Sequence, residues 1–232
     1  QSQLLHKKRD LTKEYAFKEG VNKSDPLIVV LIIGESMRGD LVSKANMPLL
    51  LNRPNVVNFS NAKSFTTSTR LSIPYMLTSA TSPNFEQALG EKTIISIFKH
   101  MGFATSWIGN QGLFGVHETT FASMAIEADH ITLQNDIKKT FPHDNIHDEY
   151  LLPYFDNSLK AQGQKHFIVT HLLGSHWRFD QRLPTNFESP FMPECINSNP
   201  MQCSKEMLLN SYYNTLYYSD MVLDQILTTL ED

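Results

Sequence analysis

Three stretches rich in apolar and β-branched residues predict the strands of a sheet. Residues 27–33 read LIVVLII, without the alternation of a strand that has one wet face. Such a run is typical of a parallel strand covered on both sides. Residues 103–110 (FATSWIGN) and 165–172 (KHFIVTHL) predict two more strands, and residues 56–59 predict a short one.

Apolar residues at three- and four-residue steps predict helices elsewhere in the chain. The clearest helix is expected at residues 208–230. Shorter ones are expected at residues 93–101, which stop at Gly102, and at residues 148–161, which are closed by Gly163. Strands that alternate with helices predict an α/β domain with a mostly parallel sheet flanked by helices.

We divide the chain into a lead-in at residues 1–24 and one domain at residues 25–232. The lead-in is polar, mixed in charge, and predicts one helix at residues 11–19. No apolar run reaches the roughly 18–20 residues of a membrane-spanning helix. Because the chain begins at Gln1 and shows no signal peptide, we expect an excised or processed soluble part, with any original anchor outside this sequence.

Composition narrows the class of protein. A length of 232 residues, with 41% hydrophobic and 19% charged residues, describes an ordinary globular domain with a full core. A formal net charge of −4 gives no basic footprint, so we expect no binding to nucleic acid.

Cys195 and Cys203 are the two cysteines of the chain, and they lie in the segment PECINSNPMQCSKE. They could be two free thiols in a loop. Their even number and the Pro- and Asn-containing spacer favour a small loop closed by a disulfide, which implies an oxidising compartment.

Polar residues follow two of the predicted strands. Glu35 comes directly after the first strand and its glycine, and His171 and His176 lie in THLLGSH at the end of the third. Ligands of parallel sheets bind at the carboxyl ends of the strands. A buried carboxylate such as Glu35 requires a partner, so we expect a site at this edge.

The segment FTTSTRLSIPYM carries five hydroxyl residues within seven positions, from Thr66 to Ser72. One interpretation is a polar loop and a helix N-cap, for which Ser and Thr are favoured. The other is a hydroxyl nucleophile at a helix N-terminus, where phosphate binds well. Such a hydroxyl needs an adjacent base or metal ion, and Glu35 could supply one metal ligand.

Several motifs, in one order, resemble the catalytic domain of the phosphoethanolamine transferases, inner-membrane enzymes of the alkaline phosphatase and sulfatase superfamily. They are GESMRGD, NMPLL, NVVNFSNAKSFTTSTRLSIPYMLT, HLLGSH and CSKEMLLNSYYNTLYYSDMVLDQIL. The resemblance runs from about Leu27 to the end of the chain. The family includes lipid A-modifying enzymes that confer polymyxin resistance.

The resemblance implies roles for individual residues. Glu35 matches a glutamate that ligates zinc, and Thr69 matches a threonine that ligates the same zinc and carries phosphoethanolamine as a covalent intermediate. We prefer Thr69 to Thr67 by counting back from the SxP that begins at Ser72. His176 matches a histidine that binds a second zinc or the substrate phosphate. We interpret His171 as structural.

The sequence departs from the family at three places. Cysteines that flank the nucleophile segment in many lipid A enzymes are replaced by Phe65 and Tyr75, whereas Cys195 and Cys203 match another family disulfide. A lysine near the substrate is absent, and Asn110 and Gln111 are predicted substrate contacts instead. No DHG motif, which carries the Asp-His pair completing the family's zinc site, occurs in the chain.

The resemblance implies transfer of phosphoethanolamine from phosphatidylethanolamine to an envelope glycolipid (lipid A or the lipopolysaccharide core) or glycan. It also implies a monomeric periplasmic domain joined to the inner membrane through a segment outside this chain. Phosphoglycerol transfer, or sulfatase or phosphodiesterase activity, is the alternative on the same fold. A lipid- or glycan-binding remnant without catalysis is the alternative of another class. We expect the chain alone to be inactive and its sheet to be incomplete toward the C-terminus.

Overall fold

The computed structural model describes residues 26–81, 84–112, 119–141 and 145–231. The predicted lead-in and its helix lie outside the described residues. Within them, four parallel strands form one sheet in the spatial order β1-β4-β2-β3. The strands are β1 (Leu27–Ile33), β2 (Ala104–Gly109), β3 (His130–Thr132) and β4 (Lys165–His171).

The eight described α-helices flank this sheet, which confirms the predicted α/β fold. They are α1 (Pro48–Leu51), α2 (Thr69–Leu77), α3 (Phe85–Gly90), α4 (Ile94–His100), α5 (Thr119–Ala125), α6 (Gln134–Thr140), α7 (Leu152–Leu159) and α8 (Lys205–Glu231). Short 3-10 helices lie at Asp148–Leu151, Phe179–Gln181 and Pro200–Gln202. Among the described helices, none combines the length and apolar character needed to cross a lipid bilayer.

Alternate residues of the central strands face two separate hydrophobic clusters, as the pleat requires. Ile168 of β4 packs with Leu216 of α8 and its neighbours. Phe167 and Val169 pack on the other side with Ile73 of α2. Every residue of β4 is buried, as predicted for this strand. The apolar run of β1 is less covered than its pattern predicted: β1 lies at the edge of the sheet, Leu27 and Ile28 are exposed, and only Ile33 is buried.

The register of the sheet brings three strand ends into one row. His171 at the end of β4 lies opposite Ile33 of β1 on one side and Gly109 of β2 on the other. Segments that leave these strands therefore emerge side by side at one edge.

Two predicted elements differ from the structure. Residues 56–59 form no strand, and Val57 and Phe59 are 74% and 78% exposed. This prediction is wrong because local β propensity does not suffice without a neighbouring strand to pair with. The predicted helix at residues 148–161 begins as the 3-10 helix Asp148–Leu151 and continues as α7.

Cys195 and Cys203 form the predicted disulfide. The backbone N–H of Cys195 donates to the Ser211 hydroxyl of α8 over 2.7 Å. The small closed loop is thereby fixed to the first turns of the longest helix.

Candidate active site

The row of strand ends positions the candidate site. Glu35 follows β1 by two residues, His171 ends β4, and Asn110 follows β2 directly. The backbone N–H groups of Leu172 and Asn110 continue the pairing by donating to Ile33 and His171 carbonyl oxygens at 3.0 and 2.9 Å. Polar side chains therefore meet at the carboxyl edge of the sheet, where ligands of such folds bind.

Glu35 and Thr69 are in direct contact at this edge. The Thr69 hydroxyl donates to Glu35 Oε2 over 2.6 Å, and the Ser36 hydroxyl donates to Oε1 over 2.8 Å. Glu35 is only 8% exposed, so both oxygens of a nearly buried carboxylate have hydroxyl partners.

Thr69 is the first residue of α2, and Thr67 is exposed two residues earlier. The N-cap residue Ser68 makes no side-chain capping bond, so the hydroxyl-rich segment does not cap the helix in the ordinary way. The Thr69 hydroxyl instead faces the carboxylate. This contact separates Thr69 from Thr67, for which the structure gives no contact with Glu35.

Burial alone would raise the pKa of Glu35, but its neighbours outweigh burial and lower the pKa to about 2. These neighbours are the imidazole of His171 and the hydroxyls of Thr69 and Ser36. His171 Nε2 lies 4.0 Å from Oε2, which is beyond hydrogen-bond distance. Its effect on the pKa of Glu35 is therefore electrostatic. Glu35 is therefore ionised at any physiological pH.

His171, which we interpreted as structural, lies beside the carboxylate of Glu35. It is fully buried, with its ring edge-on to Trp107 and Phe121. Neither ring nitrogen has a hydrogen-bond partner among the described residues. The pairing of His171 with Ile33 explains this position, because it places the imidazole beside the segment that leaves β1.

The β4 loop, residues 172–178, packs against the backbone of Glu35. Gly174 has a φ of +50°, and a Cβ at this position would approach the Glu35 carbonyl oxygen to 2.7 Å. Only glycine fits such an approach in this conformation. Ser175 N–H then donates to the same carbonyl over 3.0 Å. His176 follows at the surface, exposed, with Nδ1 2.7 Å from the Trp177 carbonyl oxygen.

Asn110 is completely buried and joins the strand ends to the chain before α7. Its amide donates to the Ile146 carbonyl at 2.8 Å and to Asp148 Oδ1 at 3.0 Å. Gln111 is partly exposed, and its amide donates to the Leu172 carbonyl over 3.0 Å. Of the two predicted substrate contacts, Gln111 therefore lies nearer the surface, whereas Asn110 supports the interior.

Sequence reasoning missed Asp148, which it treated only as the start of a helix. The buried carboxylate accepts the backbone N–H groups of Leu173 and Gly174, each over 2.8 Å, besides the Asn110 amide. Asp148 thus fixes the β4 loop that lies on Glu35. Its HDEYLL context carries no signal of this role, because the partners are 25 and 26 residues away.

Phe65 and Tyr75, which lie on either side of Thr69 in the sequence, are in aromatic contact. Their rings stack with centroids 5.0 Å apart and planes inclined by 19°. An aromatic contact therefore links the segment before Thr69 to α2.

The donor atoms at this edge suit part of a metal site. The ionised carboxylate of Glu35 is an oxygen ligand of the kind that zinc accepts. The Thr69 hydroxyl lies 2.6 Å from it, and His171 brings an unpartnered nitrogen within 4.0 Å of it. Over the ranges that the structure describes, no group of three or more His, Cys, Asp or Glu side chains is arranged to hold a metal ion.

The profile of the Sulfatase family matches residues 28–232. Among curated proteins, phosphoethanolamine transferase EptA of Escherichia coli (strain K12) is 28% identical over 225 residues, which cover 91% of this chain and 39% of the relative. The chain thus spans about two fifths of the length of the curated relatives that it matches.

Solved structures agree with this similarity. The C-terminal periplasmic domain of EcEptC from Escherichia coli, in complex with Zn, superposes with a TM-score of 0.75 at 25% identity, covering 89% of this chain and 60% of that one. The integral membrane protein lipooligosaccharide phosphoethanolamine transferase A from Neisseria meningitidis superposes with a TM-score of 0.74 at 25% identity, covering 90% of this chain and 39% of that one.

Proposed function

Because the chain belongs to the sulfatase family, we propose that it forms part of the catalytic domain of a phosphoethanolamine transferase in which Thr69 is the nucleophile. One observation carries this proposal: the hydroxyl at the start of α2 donates a 2.6 Å hydrogen bond to the buried carboxylate of Glu35. The names of the relatives supply the transferred group.

The chain's own residues perform the first half of the transfer. Glu35 holds the hydroxyl proton of Thr69, and the first backbone N–H groups of α2 favour an incoming phosphate. Attack by Thr69 Oγ1 on phosphatidylethanolamine forms a new oxygen–phosphorus bond and breaks the one to diacylglycerol, whose oxygen leaves with the proton given up by Thr69. An acceptor hydroxyl then takes the phosphoethanolamine group and restores the threonine.

Zinc is the proposed cofactor, with Glu35 and Thr69 as its ligands from this chain. When bound, zinc would lower the pKa of the Thr69 hydroxyl and offset charge on the phosphoryl oxygens. A catalytic zinc usually has three protein ligands, so we infer that further ligands come from outside the described residues.

The relatives also indicate where the domain works. One is a periplasmic domain, and another is an integral membrane protein that acts on lipooligosaccharide. We therefore infer a periplasmic domain of a bacterial inner-membrane protein, with an envelope glycolipid as acceptor. Membrane attachment would come from a segment outside this chain. His176 and Gln111, at the surface of the site, are the proposed substrate contacts, with Asn110 behind them. We expect a monomer.

Matched threonine variants test the nucleophile in the complete gene product. Thr69→Ala should abolish release of diacylglycerol from fluorescent phosphatidylethanolamine, because the attacking oxygen is lost. Thr67→Ala should retain most of the activity, because Thr67 is exposed and not joined to Glu35. Activity in Thr69→Ala, or an equal loss in Thr67→Ala, would overturn the assignment.

Mass spectrometry of the trapped enzyme separates the rival reactions. A phosphoethanolamine adduct on the peptide that contains Thr69 supports the proposed transfer. A phosphoglycerol adduct would indicate phosphoglycerol transfer, and no adduct together with no turnover would favour a binding remnant.

A further inference from the structure

The backbone directly after Glu35 adopts an unfavourable conformation. Ser36 has a φ of +54°, and among the described residues it is the only one other than glycine with a positive φ. A side chain with a Cβ is disfavoured in this left-handed region. The turn therefore needs contacts from elsewhere to hold it.

Tyr212 of α8 supplies these contacts with a single hydroxyl. It donates to the Ser36 carbonyl oxygen over 2.8 Å and accepts the Arg38 backbone N–H over 2.7 Å. The hydroxyl thus closes the turn from both ends, although Tyr212 lies 176 residues from Ser36 in the sequence.

The tyrosine itself is firmly held. It is 6% exposed, and its ring packs edge-on against Phe179 with centroids 5.4 Å apart. One turn along α8, the Thr215 hydroxyl lies 2.8 Å from that of Ser175, in the loop that contacts the Glu35 carbonyl. A rigid helix therefore supports both segments that surround Glu35.

We propose that Tyr212 is a positioning residue, which directs the Glu35 carboxylate toward Thr69 by holding the left-handed turn at Ser36. The Ser36 hydroxyl also donates to Glu35 Oε1, so a shift of the turn displaces the carboxylate together with one of its partners. This inference rests on the proposed function, because it assumes that the contact between Glu35 and Thr69 is the catalytic one.

Tyr212→Phe removes only the hydroxyl, and Tyr218→Phe is its control. Tyr218 lies on the same helix, is 4% exposed, and accepts the Glu149 backbone N–H over 3.2 Å. In the complete gene product, Tyr212→Phe should lower kcat about tenfold, the effect of losing one to two hydrogen bonds, with little change in KM. Zinc affinity, measured by competition with a chelator, should fall as well. Tyr218→Phe should change both less than threefold.

Hydrogen exchange gives a readout that does not depend on activity. The amides of residues 34–40 should exchange faster in Tyr212→Phe and at the normal rate in Tyr218→Phe. Unchanged exchange in Tyr212→Phe would overturn the inference whatever the enzyme does.

A double-mutant cycle with Ser36→Gly separates positioning from general destabilisation. Glycine adopts a positive φ readily, so Tyr212→Phe should have a smaller effect on kcat in the Ser36→Gly background than in the Ser36→Ala background, which lacks the same hydroxyl. The same fold-loss in both backgrounds, or an equal loss in Tyr218→Phe, would overturn the inference. Full activity in Thr69→Ala would instead refute the proposed function, and the exchange result would still decide the role of Tyr212.

Discussion

Glu35 keeps its charge where burial opposes it. At 8% exposure, burial alone would raise the pKa of the carboxylate. Hydroxyls on both of its oxygens, and an imidazole 4.0 Å away, reverse this shift. The charge is thus available to hold a threonine proton or to bind a cation.

The low pKa of Glu35 predicts a specific acid sensitivity. Its pKa is about 2 in the folded protein and near 4.5 ordinarily, so its stabilising contribution is complete above pH 4.5 and is lost as the pH falls through 2. That contribution is roughly 3 kcal/mol at neutral pH. Between pH 4.5 and 2, wild type should therefore lose more stability than Glu35→Gln.

Urea unfolding of chelator-treated, zinc-free protein across this pH range measures the difference. Glu86→Gln is the control, because Glu86 is exposed on α3. It should lose stability in parallel with wild type. If Glu35→Gln also loses as much stability as wild type between pH 4.5 and 2, the carboxylate does not have the predicted stabilising role.

At the scale of elements, two buried aspartates perform the same task in different places. Asp148 accepts two successive N–H groups of the β4 loop. Asp220 of α8 accepts those of Leu49 and Leu50 at the start of α1, at 2.7 and 2.8 Å. Only the first pair belongs to a segment that lies on Glu35.

We predict that Asp148→Asn and Asp220→Asn have similar effects on stability but different effects on activity. Each should lower the free energy of unfolding by about 1–3 kcal/mol, because an amide nitrogen then faces a backbone N–H group. Only Asp148→Asn should also lower transfer activity, by about tenfold. Thermal unfolding and diacylglycerol release are the measurements, and equal activity losses would contradict the positioning role of Asp148.

At the scale of the molecule, the sequence predicted those elements whose hydrophobic pattern is visible within their own residues. The strand Leu27–Ile33 is an uninterrupted apolar run, and the helix Lys205–Glu231 has a long, one-sided apolar pattern. It did not predict β3, which has three residues and pairs along its whole length with β2. Such pairing depends on distant chain segments and leaves no periodicity to detect.

The same distinction applies to the site. Glu35 and Thr69 lie in motifs that mark them within a few residues. Asp148 and Tyr212 have roles defined by partners far away in the chain, so their own surroundings predict only a helix start and a core position. The role of His171 also becomes visible only once the register of β1 and β4 is known.

The described domain predicts weak metal binding by the 232-residue chain alone. Glu35 and Thr69 are the two proposed oxygen ligands, and no group of three or more His, Cys, Asp or Glu side chains in the described part is arranged to hold a metal ion. Elemental analysis after dialysis should therefore find far less than one zinc per chain, with no release of diacylglycerol. One firmly bound zinc together with turnover would show that the remaining ligands come from within this sequence.

The stacking of Phe65 on Tyr75 makes the hydroxyl-rich segment around Thr69 independent of thiol oxidation. A disulfide forms only after an oxidant has removed two electrons, and a reductant reverses it. Two stacked rings need neither, and they associate as soon as the chain folds. Because the chain has only two cysteines, thiol–disulfide exchange can affect the loop at Cys195–Cys203 beside α8, but not the contact between Phe65 and Tyr75.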